Sequence, residues 1–423
     1  MSYIEEIESF LKSREALGIQ PGLERMEALL SGLGHPEKSY PSVHVAGTNG
    51  KGSTVSMLAK ALQTTGLKVG RFISPSYIGL TGHIYIDENP IDDKTLALVL
   101  KKIKPLISTL DKKGLSPSSF EILTAISFYY FSLEEVDIAI FEAGMGGRFD
   151  TTNCIEPLCT IITSVAIDHE GFLGSSLAEV AWHKAGIIKK QRPVIVGDLP
   201  TPAEEVITRE ALALEAPIYI FGKDFTLEGD SFKGIDGQIK RISLGLKGHH
   251  QKKNLSLVLL CLQLLEKDSF LSIPWKKMQT AFHDFSLPGR FEKISSRPTI
   301  YVDSAHNLEA LKALIETIKI SIPDRPVEIL FSAFSDKQVE EMVELLHRTF
   351  SNLTLTSFSH PRAVDSVMME ALAKSFDQVD YTEDWQLFLS RKRLDQDADS
   401  VLLVTGSLQF ISLVRDFLLQ KNE

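Results

Sequence analysis

Val43-His-Val-Ala-Gly-Thr-Asn-Gly-Lys-Gly-Ser-Thr54 decides the reading of this chain. It opens as a β-branched run, passes through Gly47, Gly50 and Gly52, and leads into an apolar periodic segment, residues 55–62. Strand, glycine turn and helix start make the geometry that cradles phosphates: backbone N–H groups and the positive end of the helix dipole face the anion. Lys51 adds a full charge, and the hydroxyls of Ser53 and Thr54 stand where they reach a nucleotide's magnesium. The spacing departs from the ordinary nucleotide loop. Only Thr48 and Asn49 separate Gly47 from Gly50-Lys51, and Gly52 intervenes before Ser53.

Outward from the loop, the chain alternates strands and helices, which predicts an α/β protein with a mostly parallel sheet. Residues 2–33 read as a helical lead-in beside the loop. Lys68–Ile73 reads as a strand ending at Ser74-Pro75, Ile84–Ile86 as a small strand of a hairpin, and residues 92–110 as a helix. Ser118 and Ser119 cap a helix with Glu121 in its first turn. The apolar run 136–141 reads as a strand buried on both faces, ending at Glu142, a carboxylate placed to hold magnesium at the carboxyl edge of the sheet. His169 falls past the end of the next strand, 158–165, and Lys184 lies on a helix, 178–188, facing the same rim. Residues 216–245 suggest small antiparallel strands. A hinge at 287–292 opens a second, smaller unit whose first strand is 299–302, with a helix starting at Ser335–Lys337. The expected domains are 1–287 and 288–423.

The 423 residues suffice for two domains with proper cores, and the net charge of −10 argues against nucleic acid or an anionic membrane as partner. Cys154, Cys159 and Cys261 show no metal spacing and read as core thiols in a reducing compartment. The acidic start is no signal peptide and no run is long enough to span a bilayer, so a cytoplasmic protein is expected.

The loop 47–54, Ser74-Pro75, Phe120–Ala125, Glu142–Arg148, Asp150–Asn153, Thr163–His169, Lys184–Lys189, His250-Gln251-x-x-Asn254, Pro288–Arg290, Asp303–Asn307 and Thr405–Ser407 together resemble folylpolyglutamate synthase and dihydrofolate synthase of the Mur ligase superfamily. The blocks occur in family order over nearly the whole chain. The resemblance implies a Mur-ligase-like ATPase domain and a smaller Rossmann-like C-terminal domain. It implies a C–N ligase that joins L-glutamate to dihydropteroate or folylpolyglutamate through an acyl phosphate. It also implies ATP contacts at Asn49, Gly50, Lys51, Gly52, Ser53, Thr54, Asn254, Arg290 and Asp303, with Lys51, His169, Lys184 and Arg290 catalytic. Mg2+ falls to Ser53, Ser74, Glu142 and His169, and Lys184 matches the lysine that the family carries as a carbamate. Ser119, Phe120, Glu121, Ile122, Phe149, Asp150 and Thr151 line the stretches that hold the pteroate, and His306 is a glutamate-side candidate. The partners implied are small molecules (the acid, glutamate and ATP), and a monomer is expected. Residues Ser76-Tyr77 and Thr81-Gly82-His83-Ile84 depart from the family's pattern in a loop on the pteroate side. Three other readings stay open: a ligase for a cell-wall precursor, a ligase for another acid, and a non-catalytic ATP switch.

Overall fold

The run before the glycines is the strand β1, Ser42–Ala46, and all five of its residues are buried. Continuous burial is what a strand covered on both faces requires, and β1 lies between two parallel neighbours, β5 (Ile138–Glu142) and β6 (Cys159–Ile162). The computed structural model describes residues 3–18, 20–394 and 401–420. The chain divides into two compact units, residues 1–244 with 252–284 and residues 245–251 with 285–423.

The sheet of the first unit also contains β2 (Val69–Phe72), β3 (Ile84–Ile86), β4 (Asn89–Pro90), β7 (Val194–Val196) and β8 (Ile218–Ile220). Its order is β4-β3-β2-β5-β1-β6-β7-β8, parallel except for the β3–β4 hairpin. One face packs the helices Glu24–Gly32, Asp93–Lys112 and Ser119–Leu133 through Met26, Leu29, Ile103, Ile126, Phe128 and Phe141. The other packs Leu177–Ala185 and Thr201–Ala213 through Val180, Ala185, Ala203 and Ile207 against Ile162 and Val196. A separate antiparallel meander follows: β9 (Thr226–Glu228), β10 (Ser231–Gly234) and β11 (Gly237–Ile239).

The second unit is a six-stranded sheet of β12 (Glu292–Ser296), β13 (Thr299–Asp303), β14 (Val327–Ser332), β15 (Asn352–Thr356), β16 (Val379–Thr382) and β17 (Val401–Gly406). Its order is β12-β13-β17-β14-β15-β16, with β12 antiparallel to β13 and the rest parallel.

The α/β class with a large mostly parallel sheet and a second α/β unit is as the sequence predicts. Four local expectations are corrected. The N-terminal helices Tyr3–Lys12 and Glu24–Gly32 pack on the helices Asp93–Lys112 and Ser119–Leu133. The ion pairs Arg14–Asp111 at 2.7 Å and Arg25–Glu121 at 2.9 Å fix them there rather than beside the glycine loop. Of residues 216–245, the first strand, β8, extends the main sheet in parallel because its apolar Ile220 closes the core under Ile207. The short polar edge strand β12 precedes the expected first strand of the second unit. Finally, Ser335 is held by Arg362, its N–H donating to the carbonyl at 2.8 Å, so the helix begins only at Val339.

The aromatic core behind β5 carries much of the first unit's burial. Phe128 is fully buried with its ring 4.7 Å from Phe141. Phe128→Ala should cost about 3–5 kcal/mol in urea unfolding, because the ring leaves a cavity that a helix pinned at both ends cannot close. A loss below about 1 kcal/mol would show that this core repacks freely.

Candidate active site

The carboxyl ends of three adjacent strands build the site. Val45 pairs with Glu142 and Ala46 with Ile162, so the glycine loop after β1, the loop after β5 and the segment after β6 start side by side. The loop is then tied down by hydrogen bonds. Thr48 N–H donates to the Ser164 carbonyl at 2.9 Å, Asn49 N–H to Ser164 Oγ at 2.8 Å, and Thr163 Oγ1 donates to the Asn49 carbonyl at 2.6 Å. Thr48 Oγ1 also donates to the Ala166 carbonyl at 3.1 Å. A Cβ at Gly47 would lie 1.9 Å from Thr163 Oγ1, and one at Gly50 would lie 2.5 Å from Asn254 Oδ1. Both glycines have positive φ, +155° and +87°, so side chains are excluded by contact and by conformation.

Lys51 begins the helix Lys51–Thr64 and curls back over the loop, its Nζ donating to the carbonyls of Gly47 at 2.8 Å and Thr48 at 3.2 Å. Those carbonyls are the partners that an anion in the loop would replace. Ser53 and Thr54 are buried in the first turn, and Thr54 Oγ1 has no hydrogen-bond partner.

Ser74, after β2, donates its N–H to Glu142 Oε2 at 3.4 Å, and its Oγ is buried without a partner. An orphan hydroxyl beside a buried carboxylate is the environment a hard cation completes. No group of three His, Cys, Asp or Glu able to hold a metal occurs among the described residues. Serine, glutamate and histidine oxygen and nitrogen donors leave room for water and phosphate oxygens, which suits Mg2+ bound together with a nucleotide. His169 stands at the start of the helix Glu170–Leu173 with φ +54°, its Nε2 4.0 Å from Asp168 Oδ2.

Lys184 is 2% exposed. Burial, then the charge of Lys51, lowers its ammonium to about 7, with Asp168 and Asp150 opposing. Glu179 is not its counter-charge. It is taken up by the cap of its own helix, accepting from Ser176 Oγ at 2.8 Å.

The acid-side candidates divide. Ser119 and Phe120 are partly exposed, while Ile122 is packed in the core. Glu121 is buried, completing the cap with Ser118 and pairing with Arg25. Phe149 is 43% exposed, its ring 6.0 Å from that of Trp182. Thr151 Oγ1 lies 2.7 Å from Thr124 Oγ1. Asp150 accepts from Met145 N–H and from Thr152 N–H, and burial pushes its carboxyl up.

In the second unit Asp303 is also pushed up by burial, to about 6, against the pull of Arg290. It accepts from Phe291 N–H at 2.7 Å and Ala305 N–H at 2.9 Å, and Arg290 hydrogen-bonds Ser304. His306 Nδ1 meets the Ser304 carbonyl at 2.9 Å and therefore carries the proton, which directs Nε2 away from the turn. Sequence reasoning passed over Ser164, which tethers the loop, and Asp168, which faces Lys184; both sit inside a recognised block without a charge or spacing pattern of their own.

Residues 45–262 match the model of the Mur ligase middle domain and residues 289–408 that of the Mur ligase glutamate ligase domain. The chain is 36% identical to a dihydrofolate synthase/folylpolyglutamate synthase of Bacillus subtilis, over 97% of this chain and 98% of the relative. Among solved structures it resembles Mycobacterium tuberculosis folylpolyglutamate synthase complexed with ADP and AMPPCP, with a TM-score of 0.90, 29% identity and 98% of each chain covered. It also resembles an FPGS–AMPPCP–folate complex, with a TM-score of 0.86, 29% identity, and 99% and 100% of the two chains covered.

Two outcomes follow from the geometry. Gly47→Ala should abolish ATP binding in calorimetry, since Thr163 cannot retreat without releasing Asn49. Lys184, protonated when unfolded but largely neutral above pH 7 when folded, makes the unfolded chain bind the extra proton between about 7 and 10.5. Stability of the wild type relative to Lys184→Met should therefore rise with pH, by roughly 2 kcal/mol between pH 7 and 9 in urea unfolding. A flat difference would mean that the amine is solvated.

Proposed function

Because the chain belongs to the folylpolyglutamate synthase and dihydrofolate synthase family of Mur ligases, we propose that it joins L-glutamate to a pteroate-type acid, dihydropteroate or a folylpolyglutamate, at the expense of ATP. The observation that carries the reading is the junction of the tethered glycine loop with Glu142 and the buried Lys184 at one sheet edge.

A carboxylate is a poor acyl donor because its leaving group would be oxide. In the proposed reaction the acid's carboxylate takes the γ-phosphoryl group, forming an acyl phosphate and ADP. The glutamate amine then attacks the acyl carbon and phosphate leaves with the carboxylate oxygen. Both steps gather negative charge, so stabilisation is electrostatic rather than nucleophilic. Lys51 exchanges its loop carbonyls for phosphate oxygens, and the N–H groups of residues 50–54 orient the triphosphate. Asn49 and Asn254 border this loop, and Arg290 and Asp303 are the nucleotide residues of the second unit; His306 serves the glutamate. Ser53, Ser74, Glu142 and His169 would hold Mg2+, which supplies positive charge to the phosphate oxygens when bound.

Lys184 fits a carbamate. The ammonium first gives up a proton; the neutral amine then adds to carbon dioxide, forming an N–C bond and releasing a second proton, so a cation becomes an anion with two acceptor oxygens. The depressed ammonium leaves the amine available near neutral pH, and Lys51 stands by as a counter-charge. Small-molecule partners, a monomer and a cytoplasmic setting complete the proposal; no described helix is long and apolar enough to cross a membrane.

ADP release that requires both a pteroate acid and glutamate supports the ligase, and release independent of both refutes it. Glu142→Gln keeps shape and removes charge, so turnover should fall by at least about a hundredfold with Tm unchanged. Near-normal turnover at saturating ATP and magnesium would remove Glu142 from the metal set. Lys184→Ala should be nearly inactive and partly recovered by acetate, which occupies the vacated anionic place.

A further inference from the structure

His44 lies on β1 three residues before Gly47, between Phe141 of β5 and Thr160 of β6, and is wholly buried. A buried histidine in a central strand is costly unless it is hydrogen-bonded. Its Nε2 lies 2.8 Å from Thr152 Oγ1, and Thr152 Oγ1 donates to Asp150 Oδ1 at 2.5 Å. The hydrogens along this chain can be assigned. Thr152 has a single hydroxyl proton, which the carboxylate takes, so His44 must donate from Nε2–H. Nδ1 is then a bare acceptor, and it is the ring nitrogen that has no partner. Burial and the charge of Lys189 lower the imidazolium to about 3, so the ring stays neutral and this tautomer persists at any working pH.

At the other end, Asp150 is full. Its Oδ1 also accepts from Thr152 N–H at 3.0 Å, and its Oδ2 accepts from Met145 N–H at 2.9 Å. The carboxylate thus closes the loop that follows Glu142 and caps the turn Thr151–Cys154. The same loop is fastened to the Lys184 helix: Arg148 N–H donates to the His183 carbonyl at 2.7 Å, and Asn153 Nδ2 donates to the Gly186 carbonyl at 3.0 Å.

We propose that His44 is a positioning residue that, through Thr152 and Asp150, sets the loop 143–153 relative to the strand carrying the phosphate loop, and so sets the affinity for the acid substrate. The inference rests on the reading above that Phe149 to Thr151 serve the acid. His44 touches neither nucleotide nor acid in this account. It links their two loops through one hydrogen-bond chain, in which each member fixes the next.

Steady-state kinetics of the full chain separate this from a core role. His44→Leu, which fills the space without a donor, should raise KM for the pteroate acid about tenfold, as loss of an outer partner does elsewhere, with KM for ATP within about twofold of wild type. His44→Gln should recover most of the loss, because its amide nitrogen is as many bonds from Cβ as the imidazole Nε2. Should His44→Leu fail to fold, Thr152→Val, equal in shape, carries the same expectation, with Thr152→Ser as the rescue. An unchanged KM for the acid in a folded variant would overturn the proposal. So would equal rises for acid and ATP, no difference between Leu and Gln, or misfolding of Thr152→Val as well. A wild-type enzyme that turns over with ATP and glutamate but only with an acid lacking a pteroate would overturn the reading of function instead, while KM for that other acid would still test His44.

Discussion

The first unit depends on the parallel pairing of β1 with β5 on one side and β6 on the other. Parallel strands point their carboxyl ends the same way, so three loops with different chemistry emerge together without any of them reaching for the others. The loop after β1 offers N–H groups, the one after β5 a carboxylate, and the one after β6 the hydroxyls that hold the first in place. Their separation is set by strand spacing, which side-chain changes hardly alter. The fold therefore fixes coarse geometry, leaving fine adjustment to hydrogen bonds such as those of Thr163, Ser164 and Thr152.

Polar burial at that edge runs against stability. Two buried carboxylates of the scaffold are well partnered there: Glu121 has Arg25 and its cap, and Asp150 accepts from Thr152 and Met145. The hydroxyls of Thr54 and Ser74, by contrast, are buried with their bonds unmade. Lys184 is the extreme case, an amine held among carboxylates and another lysine where neither charge state is comfortable. Sites that bind anions and metals carry such local discomfort in the free protein, and surrounding apolar layers make up for it.

Glycines and strand ends made much of this legible in the sequence. Gly47 and Gly50 announce a backbone that a side chain would block, and the apolar run up to Glu142 announces a strand and its terminus. What stayed hidden depends on contacts made over long sequence separations. Nothing around Lys184 states that it is buried. His44 looks like one more residue in a β-branched run, and its partner lies 108 positions away. Edge strands such as β12 were missed because they bury little and so carry no hydrophobic signature. Ser335–Lys337 has the composition of a helix start, yet the backbone there is claimed by Arg362.

The eight-stranded sheet ends on one side at β4, where Pro90 sits opposite Tyr85 and Asn89 opposite Ile86. Proline offers no N–H to a passing strand, and a two-residue strand gives too short a template for further pairing. A broad, strongly apolar sheet is the type of surface from which fibres grow. Here its hairpin border acts as a selvedge, the finished edge that keeps woven cloth from being extended.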